Sequence, residues 1–441
     1  MTAPARSGDI PVTLDDIRDA HALLSGEKDY LPGRRERVAL KTPLIYADSF
    51  SRQFGCRVWL KLESLQKTGS YKIRGAFNTI AHLPPERRGR GVVTASAGNH
   101  AQGVAYAARA FGIAERTTIF VPRGTPTVKK ENTRSYGVAI EETGATFDEA
   151  RETAYREAER SDRPFIEPFD DWRTIAGQGT IGLEIVDDLP TVRAIVAPVG
   201  GGGMIAGVAI AARALCADVR IIGAQAIGAD SMIRSLNRGE AVRLPGPPDT
   251  EIADGIKVSA PGLRPFIVAR ELLDARSFVT VADHETIAAV ADLLLWSKVV
   301  AEGAGAIVLA ALRTIQEGRS ATIEPFGAAD DVVVIVSGAN IDPSFSWRIL
   351  YERSVPNLMT IRIPIPDRPG ELLRLLEPIN ALRINIIDVD VNRHDARPRM
   401  GERVVELCIA INGPAEKAAL LDALGAHNYA PQYSRWHDGP V

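Results

Sequence analysis

The feature that most constrains the fold is a repeated alternation of short apolar runs with longer helical patterns, between about residues 20 and 350 of the 441-residue chain. The apolar runs are nearly continuous, as in strands that are buried on both faces. This pattern predicts an α/β fold with parallel-rich sheets covered by helices, in which ligands bind at the carboxyl ends of strands. The predicted strands lie at 57–63, 91–96, 117–122, 193–199, 220–225 and 331–338.

The pattern changes near residue 354. Beyond it, apolar runs and helical patterns follow one another in the order βαββα, and a last strand is expected near Tyr433. This order predicts a ferredoxin-like βαββαβ domain, and Pro378 is expected to end or kink its first helix. The predicted boundaries are a larger N-terminal region at 1–353 with a smaller subdomain inserted at about 55–155, a linker at 354–358, and a C-terminal domain at 359–435.

Composition argues against several classes of protein. The formal net charge of −3 disfavours a general nucleic-acid binder, which normally carries a strongly basic face. The three cysteines are few and widely spaced, so neither a disulfide framework nor a zinc site is predicted. No run of about 18 apolar residues is present, so no membrane span is predicted. We expect a protein of the reducing cytoplasm with no metal, nucleic-acid or membrane partner.

Four consecutive glycines form the first candidate binding loop. Gly200, Gly201, Gly202 and Gly203 follow a predicted strand and precede a helix that begins near Met204. Glycines let the backbone approach an anion, and a helix N-terminus supplies free N–H groups, so a phosphate site is predicted. The loop also meets a degenerate dinucleotide fingerprint, but no clear acidic ribose ligand stands about 20 residues further on.

A second loop, "SAGNHAQG" at 96–103, also lies between a predicted strand and a predicted helix. Ser96, Gly98 and Asn99 offer hydroxyl, backbone and amide donors at the start of that helix, where an anionic oxygen would be well held. Taken alone, the loop is better explained by N-capping of the helix. The presence of two other ligand-like features in the chain favours the binding interpretation.

Lys72 is the third feature. It follows Gly69 and Ser70 at the start of a helical pattern whose next residues are apolar. Burial and the positive end of a helix dipole both favour a neutral amine, which can form a Schiff base and act as a base. A surface lysine is the usual alternative. Combined with a phosphate loop and a donor loop, however, Lys72 points to pyridoxal phosphate.

Several motifs in fixed order connect these features to a known family. They are "SYKIRGA" (70–76), "SAGNHAQG" (96–103), "AGQGTIGLEI" (176–185), "GGGGMIAG" (200–207), "ADGIKV" (253–258) and "SGAN" (337–340). In order and approximate spacing they resemble threonine dehydratases (threonine ammonia-lyases) of the pyridoxal-phosphate fold-type II, or tryptophan synthase β-like, group. The resemblance covers about 20–350 and implies a two-subdomain catalytic region that converts L-threonine, and also L-serine, to a 2-oxo acid and ammonia.

The resemblance also implies a role for each matched residue. Lys72 would bind the cofactor covalently and remove the substrate's α-proton, and Tyr71 would lie beside the cofactor ring. The further implied contacts are Asn99 with the cofactor's 3′-oxygen, Gly200–Gly203 and Met204 with the cofactor and its phosphate, Ser337 with the pyridine nitrogen, and Ser96, Ala97, Gly98, Asn99 and His100 with the substrate carboxylate.

Related activities on the same fold stay open. Serine racemases need a second base, and a serine stands in them at the position of Ala97, which cannot carry a proton. Racemase-like enzymes also bind a divalent cation through acids where this chain has Gln225 and Ser231, leaving only Asp230 nearby. A β-replacement enzyme on the same cofactor is disfavoured, because the donor loop of such enzymes usually resembles "TSGNT" whereas this chain has "SAGNH". A preference for serine or 3-hydroxyaspartate, and an amino-acid-sensing protein without activity, stay open.

Two positions depart from the family pattern. Glu302 matches a glutamate of the family, but Gly303 replaces the proline that follows it. Glu302 is expected to face the cofactor ring or a monovalent ion, or else to have a structural role. Glu167 stands where a histidine is common, and the sequence assigns no consequence to this change.

The C-terminal region resembles an ACT regulatory domain through "PDRPGELLRLL" (366–376) and its strand order. The resemblance implies a homodimer or homotetramer and an amino-acid effector, isoleucine or valine, at the loop that contains Asp367 and Gly370, with Asn385 close by. A dimerisation module without a ligand is the alternative.

Overall fold

The computed structural model describes residues 10–342, 349, 358–391 and 401–435. The chain divides into two units, Met1–Asp342 and Pro343–Val441. Most of the predicted linker, 354–357, lies outside the described residues, and the predicted domain boundaries stay predictions.

The secondary structure alternates as the sequence predicts. The strands are β1 (Leu44–Tyr46), β2 (Arg57–Lys61), β3 (Val93–Ala95), β4 (Thr118–Val121), β5 (Ala139–Glu142), β6 (Val192–Pro198), β7 (Arg220–Ala226), β8 (Phe278–Val281), β9 (Asp331–Ile335), β10 (Leu358–Pro366), β11 (Asn385–Val391), β12 (Glu402–Ala410) and β13 (Gln432–Arg435). The helices are α1 (Leu14–Ser25), α2 (Asp48–Phe54), α3 (Lys72–Ala81), α4 (Pro85–Arg88), α5 (Asn99–Ala110), α6 (Thr127–Arg134), α7 (Phe147–Arg160), α8 (Trp172–Asp188), α9 (Gly203–Leu215), α10 (Ser231–Arg238), α11 (Leu263–Leu272), α12 (Asp283–Ser297), α13 (Gly303–Gln316), α14 (Glu371–Ala381) and α15 (Pro414–Ala426).

Two parallel-rich sheets form the first unit, so the predicted α/β class is confirmed. The larger sheet has the order β1-β2-β9-β6-β7-β8, in which only the β1–β2 pair is antiparallel. The smaller sheet has the order β3-β4-β5 and is entirely parallel. The central strands β6 and β9 are almost wholly buried, as their continuous apolar sequences require.

Three strands were not predicted from the sequence, and one predicted strand belongs to a different sheet from the one expected. β1, β5 and β8 have only three or four residues each, which is too short for a clear strand pattern, and β5 is also mostly exposed. β2 was expected within the smaller subdomain at about 55–155, but it pairs with β9 in the larger sheet. Sequence pattern identifies a strand without showing which sheet it joins.

Close helix packing explains the glycines of "AGQGTIGLEI". Helices α8 and α9 cross where Gly179 meets Gly207. A Cβ on Gly207 would lie 2.3 Å from the carbonyl oxygen of Ile175 and 2.5 Å from the backbone nitrogen of Gly179. Because such contacts are impossible for a side chain, only glycine lets the two backbones approach this closely. The motif therefore sets the position of α9, whose N-terminus carries the four-glycine loop.

A buried ion network anchors α3, the helix that begins with Lys72. The Arg74 guanidinium donates to Glu63 at 2.8 Å and to Glu184 at 2.7 Å, and Lys61 donates to Glu184 at 2.6 Å. All four side chains are at most 3% exposed. Two cations and two anions balance, so each buried charge has an opposite charge in contact. The network joins α3 to β2 and α8.

The second unit has the predicted βαββαβ order. Its antiparallel sheet has the order β11-β12-β10-β13, and Ile361, Ile363 and Ile365 of β10 are buried in its core. Of the two alternatives for Pro378, that it ends the first helix is wrong, because α14 continues to Ala381, and the kink stays a prediction. Pro378 is itself buried on the core side of this helix, so packing offsets the hydrogen bond that proline cannot make.

Two further observations bear on the chemistry of the chain. In the parts that the structure describes, no helix is both long enough and apolar enough to cross a membrane. Cys56, Cys216 and Cys408 are not joined by disulfide bonds.

Candidate active site

A cavity of about 330 Å³ lies at the carboxyl ends of parallel strands in both sheets of the first unit. Segments that follow β3, β6 and β9 line it, together with the start of α3. Every residue that the sequence assigned to the cofactor or to the substrate lines this cavity: Tyr71, Lys72, Ser96, Ala97, Gly98, Asn99, His100, Gly200, Gly201, Gly202, Gly203, Met204 and Ser337.

Lys72 is the first residue of α3. Its amine donates a hydrogen bond of 2.9 Å to the carbonyl of Pro168 and lies 5.2 Å from the centre of the Tyr71 ring. Burial lowers the pKa of Lys72 to about 8, although the negative charge of Glu302 acts in the opposite direction. A substantial fraction of the amine is therefore neutral near pH 8, as a base or a nucleophile requires.

The four-glycine loop presents bare backbone to the cavity. Gly202 has a φ of 90°, in the left-handed region, and α9 begins at the next residue. A Cβ on Gly201 would lie 2.3 Å from the ring of Phe169, so no side chain fits there. The first N–H groups of α9 have no partner within the helix, and they carry the positive end of its dipole. The loop is thus suited to a phosphate group.

The side chain of Asn99 is held by polar groups around the cavity. Its amide nitrogen donates to the Glu302 carboxylate at 2.6 Å, and its amide oxygen accepts from Asn340 at 2.7 Å. In the same loop, the backbone N–H of Gly98 donates to the Ser96 hydroxyl at 3.2 Å. Asn99 is the first residue of α5, so the loop lies at a helix N-terminus, as predicted.

His100 is buried and neutral. Its Nε2 lies 3.1 Å from the carbonyl of Ile166, which can only accept, so Nε2 carries the proton. Burial and the nearby Lys72 lower the pKa of His100 to about 3. Its Nδ1 is buried, has no hydrogen-bond partner among the residues that the structure describes, and presents a lone pair. This side chain cannot donate to a carboxylate, so only the backbone of His100 can serve the substrate-carboxylate role that the sequence predicted.

Ser337 lies just beyond β9. Its hydroxyl is buried and lies 3.4 Å from the carbonyl of Ala304, at the long limit for a hydrogen bond. Its own carbonyl accepts from the backbone N–H of Tyr71 at 3.1 Å. The segment after β9 therefore holds the residue that precedes Lys72.

Glu302, for which the sequence left both a site role and a structural role open, lies in the surroundings of the cavity rather than at the surface. Its side chain is 5% exposed. Burial, and secondarily the charge of Asp254, raise the pKa of Glu302 to about 7, against the effect of the Asn99 hydrogen bond. A carboxyl group that titrates near neutral pH thus lies in contact with the predicted 3′-oxygen ligand, Asn99.

Several cavity residues were missed by sequence reasoning. Lys129 of α6 forms a 2.7 Å ion pair with Asp254. Asp254 lies in the "ADGIKV" motif, where it had no assigned role, and Lys129 belongs to a charged helical run typical of a surface. Phe169 and Asn340 also line the cavity. No local sequence pattern predicts that these residues line one cavity, because each comes from a different segment of the chain.

Gln225 stands where the racemase-like enzymes are expected to have an acid, and its side-chain amide makes hydrogen bonds to backbone groups. Its amide nitrogen donates to the carbonyls of Val199 and Ala229 at 3.2 and 3.1 Å, and its amide oxygen accepts from the N–H of Ile233 at 3.1 Å. Gln225 is buried and has a structural explanation in this chain.

The three residues predicted to bind an effector do not meet within one chain. Asp367 follows the end of β10 that pairs with Glu402, whereas Asn385 begins β11 opposite Ala410. Glu402 and Ala410 are the two ends of β12, so Asn385 lies roughly 27 Å from Asp367 along the sheet. The expectation that Asn385 is close to the loop is therefore wrong within a single chain. Gly370, with a φ of 89°, precedes α14 near Asp367.

Comparison with known proteins gives consistent similarities in sequence. A family model for pyridoxal-phosphate dependent enzymes matches residues 36–338. An L-threonine ammonia-lyase of Thermotoga maritima is 42% identical over 398 residues, which cover 90% of this chain and 93% of that protein. The catabolic L-threonine dehydratase of Escherichia coli is 37% identical over 338 residues, which cover 76% of this chain and 95% of that protein. The longer alignment extends into the second unit.

Solved structures of the same kind are also similar. The processed form of threonine deaminase isoform 2 from Solanum lycopersicum has a TM-score of 0.69 and 34% identity, and the match covers 79% of this chain and 95% of that chain. Maize serine racemase has the same TM-score and identity and covers 78% of this chain and 98% of its own.

Proposed function

The chain belongs to the family of pyridoxal-phosphate dependent enzymes, and from this premise we propose that it is a threonine ammonia-lyase. It converts L-threonine to 2-oxobutanoate and ammonia, and L-serine to pyruvate and ammonia. The observation that carries this proposal is the cavity in which a partly neutral lysine amine, a bare glycine loop and a donor loop come together.

The residues present fit pyridoxal 5′-phosphate. The glycine loop exposes bare backbone to the cavity, packs too closely against Phe169 for a Cβ on Gly201, and lies at the N-terminus of α9. Lys72, within the same cavity, supplies an amine for the cofactor's aldehyde. We propose that Asn99 faces the 3′-oxygen and that Ser337 lies near the pyridine nitrogen, with Tyr71 and Met204 completing the site.

When bound, the cofactor supplies an electron sink for the substrate's α-carbon. The protein's own contribution begins with the backbone N–H groups of 96–100, which hold the substrate carboxylate at the start of α5. The neutral amine of Lys72 then removes the α-proton, and its lowered pKa makes this possible near neutral pH. Overall, threonine loses that proton and its β-hydroxyl as one molecule of water, and the released enamine takes up one molecule of water to give 2-oxobutanoate and ammonia.

Racemisation is the second candidate, because maize serine racemase is among the similar structures. A racemase needs a base on each side of the α-carbon, and Lys72 provides one. Ala97, where a serine stands in racemases, offers no proton. We therefore propose elimination as the main reaction.

We further propose that the second unit regulates activity by binding isoleucine or valine. Asp367 and Gly370 lie at one end of its sheet and Asn385 at the other. One effector molecule can contact both only if two copies of the chain pair, so the proposal includes a homodimer or homotetramer. We also propose the cytoplasm as its location, which suits three cysteines that form no disulfide bond.

A substrate panel tests the proposed function. L-Threonine, L-serine and 3-hydroxyaspartate are each assayed for 2-oxo acid and ammonia, and the remaining amino acid is analysed for its D-enantiomer. We expect threonine to have the highest kcat/KM and D-enantiomer formation to be far slower than ammonia release. Faster formation of D-serine than of pyruvate would replace the proposal with racemisation.

A further inference from the structure

The segment 167–169 contacts the cavity at two points. The carbonyl of Pro168 accepts the 2.9 Å hydrogen bond from the Lys72 amine. The ring and backbone of Phe169 lie against Gly201 and Gly203, so closely that neither glycine could carry a Cβ. One short segment therefore supports both the reacting amine and the glycine loop.

Glu167 fixes this segment to α7. Its carboxylate accepts a hydrogen bond of 3.0 Å from Arg151 and another from the hydroxyl of Tyr155, one turn further along the same helix. Arg151 also donates to the Tyr155 hydroxyl at 2.9 Å. The side chains of Arg151 and Glu167 are 27% and 19% exposed, so the pair is largely shielded from water. On the other side, the backbone carbonyl of Glu167 accepts from Thr174 of α8 at 3.2 Å.

The Pro168 carbonyl has a directional effect on the amine of Lys72. A neutral amine has two N–H groups and one lone pair. When one N–H donates to Pro168, the lone pair points away from that carbonyl. The position of the carbonyl thus selects the direction in which Lys72 can accept a proton. A shift of the segment 167–169 by even a fraction of the length of the Lys72–Pro168 hydrogen bond would therefore point the lone pair in the wrong direction.

We propose that Glu167 is a positioning residue for Lys72. Through Arg151 and Tyr155 it holds the Pro168 carbonyl where that carbonyl orients the reacting amine. The inference rests on the proposed function only in assigning α-proton removal to Lys72. The sequence singled out Glu167 as a departure without a consequence, and this contact gives it one.

The test compares Glu167→Ala with Glu157→Ala in the full-length holoenzyme. Glu157 is a matched control because it lies on α7, has a side chain that is 20% exposed, and pairs with Arg163 at 2.9 Å rather than with Arg151 or Tyr155. For Glu167→Ala we expect kcat per bound cofactor to fall about tenfold while KM stays within about twofold. The isotope effect with threonine deuterated at Cα should be at least as large as in the wild type. Glu157→Ala should match the wild type.

Two further variants separate positioning from folding. Glu167→Gln keeps an acceptor oxygen for Tyr155 and Arg151 and should recover most of the lost kcat. Arg151→Met removes the other side of the contact and should reproduce the Glu167→Ala defect, so it replaces Glu167→Ala if that variant does not fold.

A substrate-free measurement keeps the inference independent of the assigned substrate. In cofactor-free protein, the rate at which pyridoxal phosphate reacts with Lys72 is followed by absorbance, and Glu167→Ala should slow it by about threefold or more. If kcat per bound cofactor and this rate both stay within twofold of the wild type, Glu167 is a structural residue and the inference is wrong. If the wild type has no activity on threonine but this rate still falls, the proposed function fails while the positioning role stands.

Discussion

At the residue scale, Lys72 and Glu302 are titratable groups whose pKa values are moved towards neutral pH by the same cause. Both are buried in one cavity, so each charged form is disfavoured: the lysine's pKa falls to about 8 and the glutamate's pKa rises to about 7. Such shifted groups are typical of catalytic sites. Each leads to a prediction that can be measured without substrate.

The first prediction concerns the pH dependence of cofactor attachment. Only the neutral amine of Lys72 reacts with an aldehyde, so the rate of reconstitution should rise about tenfold per pH unit below pH 8 and level off above it. Stopped-flow absorbance on cofactor-free protein provides the measurement. Because the Glu302 charge raises the pKa of Lys72, Glu302→Gln should move the midpoint to lower pH. A rate that keeps rising to pH 10 would show that the amine is not desolvated.

The second prediction concerns stability. The pKa of Glu302 is higher in the folded protein than its ordinary value of 4.5, so the wild type loses stability as pH rises through about 7. Glutamine does not titrate and can still accept the hydrogen bond from Asn99. Glu302→Gln should therefore be more stable than the wild type at pH 8, by up to about 3 kcal/mol, with little of this difference left at pH 5. Urea unfolding of the cofactor-free protein at both pH values measures it. A difference that does not change with pH would contradict the shift.

At the element scale, the active site depends on where helices begin. The helices α3, α5 and α9 start at Lys72, Asn99 and Gly203, so three helix N-termini meet at one cavity. Contacts outside the cavity hold two of these helices in position. Glycine contacts with α8 position α9, and the buried network around Arg74 positions α3. Residues with no contact to the ligand thus decide the geometry of the site.

The third prediction tests that network. Arg74→Met would leave Glu63 buried without its Arg74 partner and Glu184 with Lys61 as its remaining strong ion pair, and we expect it to lower the free energy of unfolding by about 3–5 kcal/mol. The control is Arg52→Met, which breaks the Arg52–Asp48 pair, whose side chains are 74% and 62% exposed. That change should cost less than about 1 kcal/mol. Equal costs in chemical denaturation would show that the network adds nothing beyond a surface ion pair.

At the scale of the whole molecule, the chain combines a catalytic unit with a ferredoxin-like unit. The E. coli dehydratase aligns with 76% of this chain, whereas the T. maritima protein aligns with 90% and includes part of the second unit. The shorter match is no longer than the first unit, so similarity to such a relative does not require the second unit. This difference in aligned length is compatible with our proposal that the second unit has a regulatory role.

The fourth prediction follows from that division. A chain that ends at Asp342 should release 2-oxobutanoate at a rate within about threefold of the full-length enzyme but should no longer respond to isoleucine or valine. Asp367→Asn in the full chain should weaken the response while leaving basal activity intact. Initial rates with and without each amino acid measure both effects. A truncated enzyme that keeps its response would place the effector site in the catalytic unit.

Much of this organisation could be predicted from the sequence, for physical reasons. The strand β6, the glycine loop and α9 are contiguous in sequence. The apolar run of the strand, the glycines of the turn and the helical pattern can therefore all be identified in one stretch around Gly200–Gly203. The contact of Glu302 with Asn99 joins residues about 200 positions apart, and no local pattern encodes it. The placement of Asn385 failed for a related reason: strand order shows which elements exist, whereas strand register decides which ends meet.

The proposed role of Lys72 is tested by 2-oxobutanoate release from L-threonine, measured for the wild type and for Lys72→Ala, each saturated with pyridoxal phosphate. Removing the amine takes away both the attachment point and the proposed base, so we predict a loss of kcat of about a thousandfold or more, together with loss of the absorbance band of the bound cofactor. A Lys72→Ala enzyme that kept its colour and released 2-oxobutanoate within tenfold of the wild-type rate would show that Lys72 is neither the attachment point nor the base.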